Sequence, residues 1–214
     1  MRAAASTGTL LVATGNRGKL RELSAQFEGL PLELVSLADL DMAIPAPEET
    51  GATFADNARL KAIAYATASA LPCLAEDSGF VVAALDGRPG VLSARVPGDD
   101  DAARVQWVYR ELDARGGRTS AAAFVCAMAL AAPDGSILHE TEGRVDGEIA
   151  ETPRGEGGFG YDPIFLYPPT GRTFAEMSRD EKAAVSHRGN AARAMRAWLA
   201  ASPRFAGPSD TPPR

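Results

Sequence analysis

Histidine, cysteine and tryptophan are nearly missing from this chain, with two of each in 214 residues. Two histidines rule out a histidine-rich metal centre. Two cysteines, Cys73 and Cys126, could form one disulfide at most, and nothing in the sequence supports one. Both sit in apolar stretches (71–75 and 121–132), which reads as two buried thiols in a reducing compartment. Long hydrophobic runs are also lacking, since the most apolar stretch, 121–132, is too short to span a bilayer. Met1–Gly8, with one Arg and a brief Ala run, makes a poor signal peptide. The expectation is a soluble, cytoplasmic protein with no membrane partner. Basic charge is scarce as well: 22 Lys and Arg against 28 Asp and Glu give a net charge of −6. That balance argues against coating a nucleic-acid polymer, although one phosphate pocket needs only a few local cations. There is no internal repeat and no G-x-S-x-G nucleophile motif.

What is present reads as strands interleaved with helices, hence a mixed α/β fold. Thr9–Ala13 predicts a buried strand, followed by a helix with Leu20, Leu23 and Phe27 on one face. Leu32–Ser36 predicts a second strand. A proline-rich acidic loop around Glu48-Glu49 leads to an Ala-rich helix over Thr53–Ala70. Pro72–Glu76 and Phe80–Leu85 read as two short strands flanking Asp77-Ser78-Gly79. A helix is expected over Asp100–Ala114, with its acidic start at the positive end of the dipole. Long strands are expected over Ser120–Ala132 and Ile137–Ile149, joined by Pro133-Asp134-Gly135. Ser178-x-x-Glu181 fits a capping box, and helix resumes from Gly189 to Ala200. Residues 1–201 are expected to form one two-lobed domain, and 202–214, with four prolines, a disordered tail.

Five stretches could carry chemistry. The turn Thr14-Gly15-Asn16-Arg17-Gly18-Lys19 lies between a strand and a helix start, where backbone N–H groups and the helix dipole favour an anion. It departs from a P-loop at Ala13 and Leu20, so any metal must be held elsewhere. Glu48-Glu49 and Glu76-Asp77 could converge on Mg²⁺, which takes one or two carboxylates plus waters and phosphates; alone, each such pair is more often a solvated surface feature. Lys61, within an apolar helix, is either a snorkelling lysine or a cation aimed at phosphates. Gly157-Gly158-Phe159-Gly160-Tyr161-Asp162 lets a flat base approach the backbone and stack, or simply supplies core aromatics. Lys182 with Ser186-His187-Arg188 offers donors for phosphate or a purine carbonyl, or a helix-end pair satisfying terminal carbonyls.

Taken together and in order, Val12–Glu22, Glu49–Ala58, Glu76–Gly79, Pro89–Arg95, Gly157–Phe165 and Ser186–Gly189 resemble the inosine triphosphate pyrophosphatase (Ham1) family. The resemblance implies a mixed, elongated β-sheet flanked by helices, in two lobes with the active site in the cleft between them, and a homodimer. It implies that Thr14, Gly15, Asn16, Arg17, Gly18 and Lys19 bind the triphosphate. Glu49 and Asp77 resemble the Mg²⁺ ligands, with Asp77 also the general base and Ser78 contacting substrate beside it. Lys61 and Lys182 resemble phosphate-neutralising lysines. Phe159, Gly160, Tyr161 and Asp162 resemble the base-binding loop, and His187 and Arg188 the pair that reads the purine. Glu76 stands where many members carry Asp, which leaves its part in metal binding open.

The activity so implied is hydrolysis of ITP, dITP or XTP to the monophosphate and pyrophosphate. Two other readings are a pyrophosphatase of modified pyrimidine triphosphates and a nucleotide-binding module without catalysis. Glu49, Asp77 and the three lysines speak against the second, since a pure binder has no need of the acids.

Overall fold

The computed structural model describes residues 8–205 except 16 and 99, and leaves out the side chain of Arg17. The run Leu10-Leu11-Val12-Ala13 is apolar on both sides, as a strand covered by helices on both faces must be. It belongs to β1 (Gly8–Ala13), which pairs in parallel with β2 (Leu32–Ser36) on one side and β3 (Cys73–Val82) on the other. Leu10 and Val12 pack on Leu23 and Phe27 of α1 (Arg17–Phe27) and on Met195 and Leu199 of α5 (His187–Ala201). Leu11 and Ala13 face the other way, against Ala58, Ala62 and Ala66 of α2 (Phe54–Ser69). These alanines meet Ala127, Ala129 and Ala131 of β4 (Ala121–Ala131), small side chains that let helix and sheet approach closely. Thr53 caps α2 in a reciprocal box with Asp56.

β4 pairs antiparallel with β3 and with β5 (Ile137–Ile149), and short β6 (Phe165–Tyr167) and β7 (Arg172–Thr173) complete one seven-stranded mixed sheet in the order β2-β1-β3-β4-β5-β6-β7. At the β6–β7 end a third cluster forms around Phe80, Phe124, Phe165 and Phe174. It takes in Val105, Val108 and Leu112 from α3 (Asp101–Asp113). The long strands β3, β4 and β5 contribute to all three clusters, within the mixed α/β sheet flanked by helices that was expected. Before α5, α4 (Arg179–Val185) starts at Ser178, whose side chain accepts from the Glu181 amide as the capping box predicted.

Three expectations need correction. Asp77-Ser78-Gly79 does not separate two strands: β3 runs unbroken from Cys73 to Val82, with Asp77 opposite Ala127 and Gly79 opposite Val125. Gly79 is not a turn residue; a Cβ there would collide with Ser93, Gly90 and Phe54, so its role is close approach. Helix α5 begins at His187, two residues before the expected start, because Ser186 is its cap and accepts from the Gly189 amide. The tail does not begin at Ser202, since Phe205 is buried beside Trp198; residues 206–214 lie outside those described. Both cysteines are free thiols and buried, as expected.

Candidate active site

β1 ends at Ala13, opposite Ala75, while β3 continues to Val82. Among the described residues, no strand pairs with Glu76–Ser78 on that side until the bridge from Val81 to Pro89. Since α1 and α2 cover opposite faces, β1 and β3 flank a topological switch point, where open α/β sheets form ligand crevices beyond the strand ends. Thr14 and Gly15 sit at that strand end, with open space where a Gly15 side chain would project. Asn16 and the side chain of Arg17 lie outside the described residues.

Strand pleating then sends Glu76 and Asp77 to opposite faces. On the α2 face, Lys61 Nζ donates to Glu49 Oε1 at 2.7 Å and to Asp77 Oδ1 at 3.0 Å. Two carboxylates 28 positions apart in sequence therefore converge on one ammonium. Burial works against the Lys61 charge, but Asp77 and Glu49 more than offset it and raise its pKa. The Glu49 carboxyl is lowered despite burial, by Lys61 and then by Arg95. The snorkelling alternative for Lys61 is thereby excluded. Asn57 Nδ2 donates to Asp77 Oδ2 at 3.1 Å, and Arg95 reaches Glu49 Oε2 at 2.5 Å.

On the opposite face, Glu76 is buried between cations. Lys19 Nζ lies 2.8 Å from its Oε1, and Arg188 Nε donates to its Oε2 at 2.8 Å. Burial alone would raise the Glu76 pKa, yet Arg188 and Lys19 hold it well below the usual carboxylate range. The Cys126 thiol also donates to Oε2, at 3.3 Å. Arg188 is spread over three partners: Glu76, Glu22 Oε2 at 2.7 Å and Ser78 Oγ at 3.0 Å. Its own burial disfavours the charge, but Glu76 and Glu22 hold it more firmly protonated than a free guanidinium.

Beside this network is a cavity of about 310 Å³, lined by Lys19, Ser78, Phe159, Lys182, His187 and Arg188 among others. Glu49, Asp77 and Lys61 are not part of its wall; they lie across β3 from it. Phe159 has Lys182 Nζ 4.8 Å and the Arg188 guanidinium 5.6 Å from its ring centre. Asp162 is buried, accepts from the Phe159 amide at 2.9 Å and pairs with Lys182 Nζ at 2.5 Å. Burial nonetheless raises the Asp162 pKa overall. Gly158 has a left-handed φ of +73°, and a Cβ there would fall on the Asp162 carboxylate. The Gly160 amide donates to Asp101 Oδ2 at 2.6 Å. Tyr161 is chiefly a core residue: it stacks on Phe80, ring centres 4.9 Å apart, and its hydroxyl donates to Ser93 O at 2.8 Å. His187 stacks on Phe124 at 4.7 Å, and burial, aided by Arg188 and Lys182, pushes its pKa well below normal, so it is neutral.

Asn57, Arg95 and Glu22 lie inside the motif stretches of the sequence but carry no role there by residue type alone; Asp101 reads in the sequence only as a favourable charge at a helix start.

The model of the Ham1 family matches residues 10–198. The chain belongs to the Ham1 family. It is 49% identical over 187 residues to the dITP/XTP pyrophosphatase of Thermus thermophilus, covering 87% of this chain and 89% of that protein. The corresponding protein of Geobacillus kaustophilus is 48% identical over 184 residues, 85% of this chain and 89% of its own length. A Ham1 protein structure from Coxiella burnetii matches with a TM-score of 0.84 at 38% identity, covering 92% of this chain and all of that one. The family match over residues 10–198 includes β1, β3 and the side chains on both faces of β3.

Proposed function

We propose that the protein hydrolyses deaminated purine nucleoside triphosphates, namely ITP, dITP and XTP, to the monophosphate and pyrophosphate, clearing them from the nucleotide pool. The observation that carries this reading is the division of groups across β3. Glu49 and Asp77 converge on one face, and Lys19, Lys182 and Phe159 gather on the other, around a stretch of strand edge with no strand beside it among the described residues. A triphosphate crossing that edge meets cations and acids in turn. The dITP/XTP pyrophosphatase relatives support the same substrate class.

The donor set suits a hard divalent cation. The Glu49 and Asp77 oxygens already converge on a cation, and Mg²⁺ takes one or two carboxylates, filling its shell with water and phosphate oxygens. No cluster of three or more His, Cys, Asp or Glu side chains among the described residues could hold a metal, so water and substrate would supply the remaining ligands. Bound there, Mg²⁺ supplies Lewis-acid neutralisation of phosphate charge. The chain's own residues do the rest. Asp77, oriented by Asn57, takes the proton from the water that attacks the α-phosphorus, and pyrophosphate leaves. The Thr14–Gly18 segment binds phosphate oxygens, and Lys19, Lys61 and Lys182 spread positive charge over them. Ser78, on the opposite face of β3 from Asp77, lines the cavity beside Arg188 and contacts the substrate there.

The base stacks on Phe159 in the loop that runs to Asp162. Hypoxanthine and xanthine present a C6 carbonyl acceptor where adenine presents a donor. Arg188 keeps one N–H on each terminal nitrogen beyond its bonds to Glu22 and Ser78, and His187 Nδ1 has no hydrogen-bond partner among the described residues. A donor from either group favours the carbonyl purines, by up to roughly 10⁴ where the site is built on such bonds. Pyrophosphate release from ITP, XTP, GTP and ATP with Mg²⁺ tests the reading; equal rates on all four would refute it. We also propose a cytoplasmic homodimer, which suits an enzyme of the nucleotide pool with two buried free thiols. Light scattering on the full chain tests the dimer.

A further inference from the structure

Phe159 lies between Gly158 and Gly160, whose φ values are +73° and +64°. Gly155, at +81°, and Gly157 extend this pliant stretch. Such a loop has little stiffness of its own, because glycine gives up more backbone freedom on ordering than any other residue. Hydrogen bonds must hold the Phe159 ring where a base can use it. The Phe159 amide donates to Asp162 Oδ2 at 2.9 Å, and Asp162 is fixed in turn by Lys182. The next amide, that of Gly160, donates to Asp101 Oδ2 at 2.6 Å. Asp101 belongs to a different element, the first turn of α3, 59 positions away. Asp100 caps that helix by accepting from the Ala103 amide at 2.7 Å, so Asp101 is not needed as the cap. Arg104 NH1 binds the other Asp101 oxygen at 2.5 Å, and both residues line the cavity that holds Phe159 and His187.

We propose that Asp101 is a positioning residue for purine binding: from α3 it clamps the Gly160 amide, so that Phe159 is held from both sides and presented as a fixed stacking surface. The inference rests on the purine-binding role given to Phe159 above. Asp101 touches the loop, and its effect on substrate runs through the ring. It therefore acts on nucleotide binding and leaves the attack at the α-phosphorus to Asp77.

The test is steady-state hydrolysis of ITP by the full chain carrying Asp101→Ala, Asp101→Asn, Phe159→Ala, and Asp101→Ala with Phe159→Ala. Asp101→Ala is expected to raise KM on the order of tenfold, the weight of one charge-assisted hydrogen bond, with kcat within about twofold of native. Asp101→Asn keeps an oxygen acceptor for the Gly160 amide and should recover most of that loss. In the Phe159→Ala background, removing Asp101 should add nothing further. An unchanged KM, a loss confined to kcat, or the same penalty with and without Phe159 would each overturn the proposal. Amide exchange over 155–162 in the free protein supplies a readout independent of catalysis. The clamp requires faster exchange there in Asp101→Ala, with α3 protected as before; unchanged exchange would overturn it. A native protein that releases no pyrophosphate from any purine triphosphate would instead defeat the functional reading, and the exchange measurement would still decide the clamp.

Discussion

Glu76 and Asp77 are neighbours in sequence and point to opposite faces of β3, one into the Lys19–Arg188 network and the other to Lys61 and Asn57. Their chemistry divides accordingly. Glu76 is buried between two cations, where it fixes the groups around it. Asp77 sits with Glu49 in the acidic pair that can meet a metal and a water.

Asp77→Asn follows directly from this division. The amide keeps the shape and one of the two acceptor oxygens that Lys61 and Asn57 bind, and it cannot take a proton from water. The expected result is a fall in kcat of about 100-fold or more with ITP binding retained. Single-turnover kinetics beside calorimetric titration would check it, and near-native turnover would remove Asp77 from the role of base.

Among the described residues, Lys61 is the cation that Glu49 and Asp77 share, and its side chain is 14% exposed. Lys61→Met leaves two half-shielded carboxylates facing each other. In chelator, that variant should melt below the native protein. Added Mg²⁺ should raise its Tm more than it raises the native Tm, because no ammonium competes for the same oxygens. Equal shifts in the two proteins would remove the acidic pair as the seat of the cation.

How much of this was legible beforehand depends on the distance over which each feature is decided. Helix α2 was readable because its wealth of alanine and freedom from glycine and proline are local. The Ser178 cap was readable for the same reason. The unbroken β3 was not, because Asp77-Ser78-Gly79 carries the composition of a turn, and only pairing with β4 and the close approach of Ser93 explain why it stays extended. Within the site, Lys61 had two open readings from its apolar helix alone. They could be separated only once Glu49 and Asp77 were seen to flank its ammonium. Arg188 was read as a source of donors, and its sequence neighbourhood did not show that all three of its nitrogens also bind within the protein, to partners more than 100 positions distant. Tyr161 read as part of a base-binding loop, whereas the stacking that fixes it comes from Phe80 on β3.

The Lys182–Asp162 pair gives a third expectation. Their side chains are 8% and 2% exposed, so removing one partner strands the other in a poor solvent for charge. Lys182→Met should cost about 3–5 kcal/mol of stability as well as activity. Adding Asp162→Asn should restore much of the stability, since the stranded carboxylate is gone, while activity stays low for want of the phosphate-facing cation. Urea unfolding of the single and double variants checks this, and a double variant no more stable than Lys182→Met would contradict it.

The last expectation concerns pH. His187 is buried, and its folded pKa lies well below the ordinary value of 6.5 because burial and the charges of Arg188 and Lys182 oppose protonation. Below the ordinary value, the unfolded chain takes up a proton that the folded chain refuses. Stability must therefore fall as pH drops from about 6.5 towards the lowered folded value, with a slope of up to about 1.4 kcal/mol per pH unit from this one group. The depressed carboxyls of Glu76 and Glu49 work in a lower window: their stabilisation is present above the ordinary carboxylate range and is lost beneath it. Between pH 7.5 and 5.5 the loss attributable to His187 should thus be separable from theirs. His187→Gln, which cannot titrate, should flatten the dependence of the urea midpoint across that interval. A native protein whose midpoint does not move between those two pH values would show that the imidazole is not held neutral.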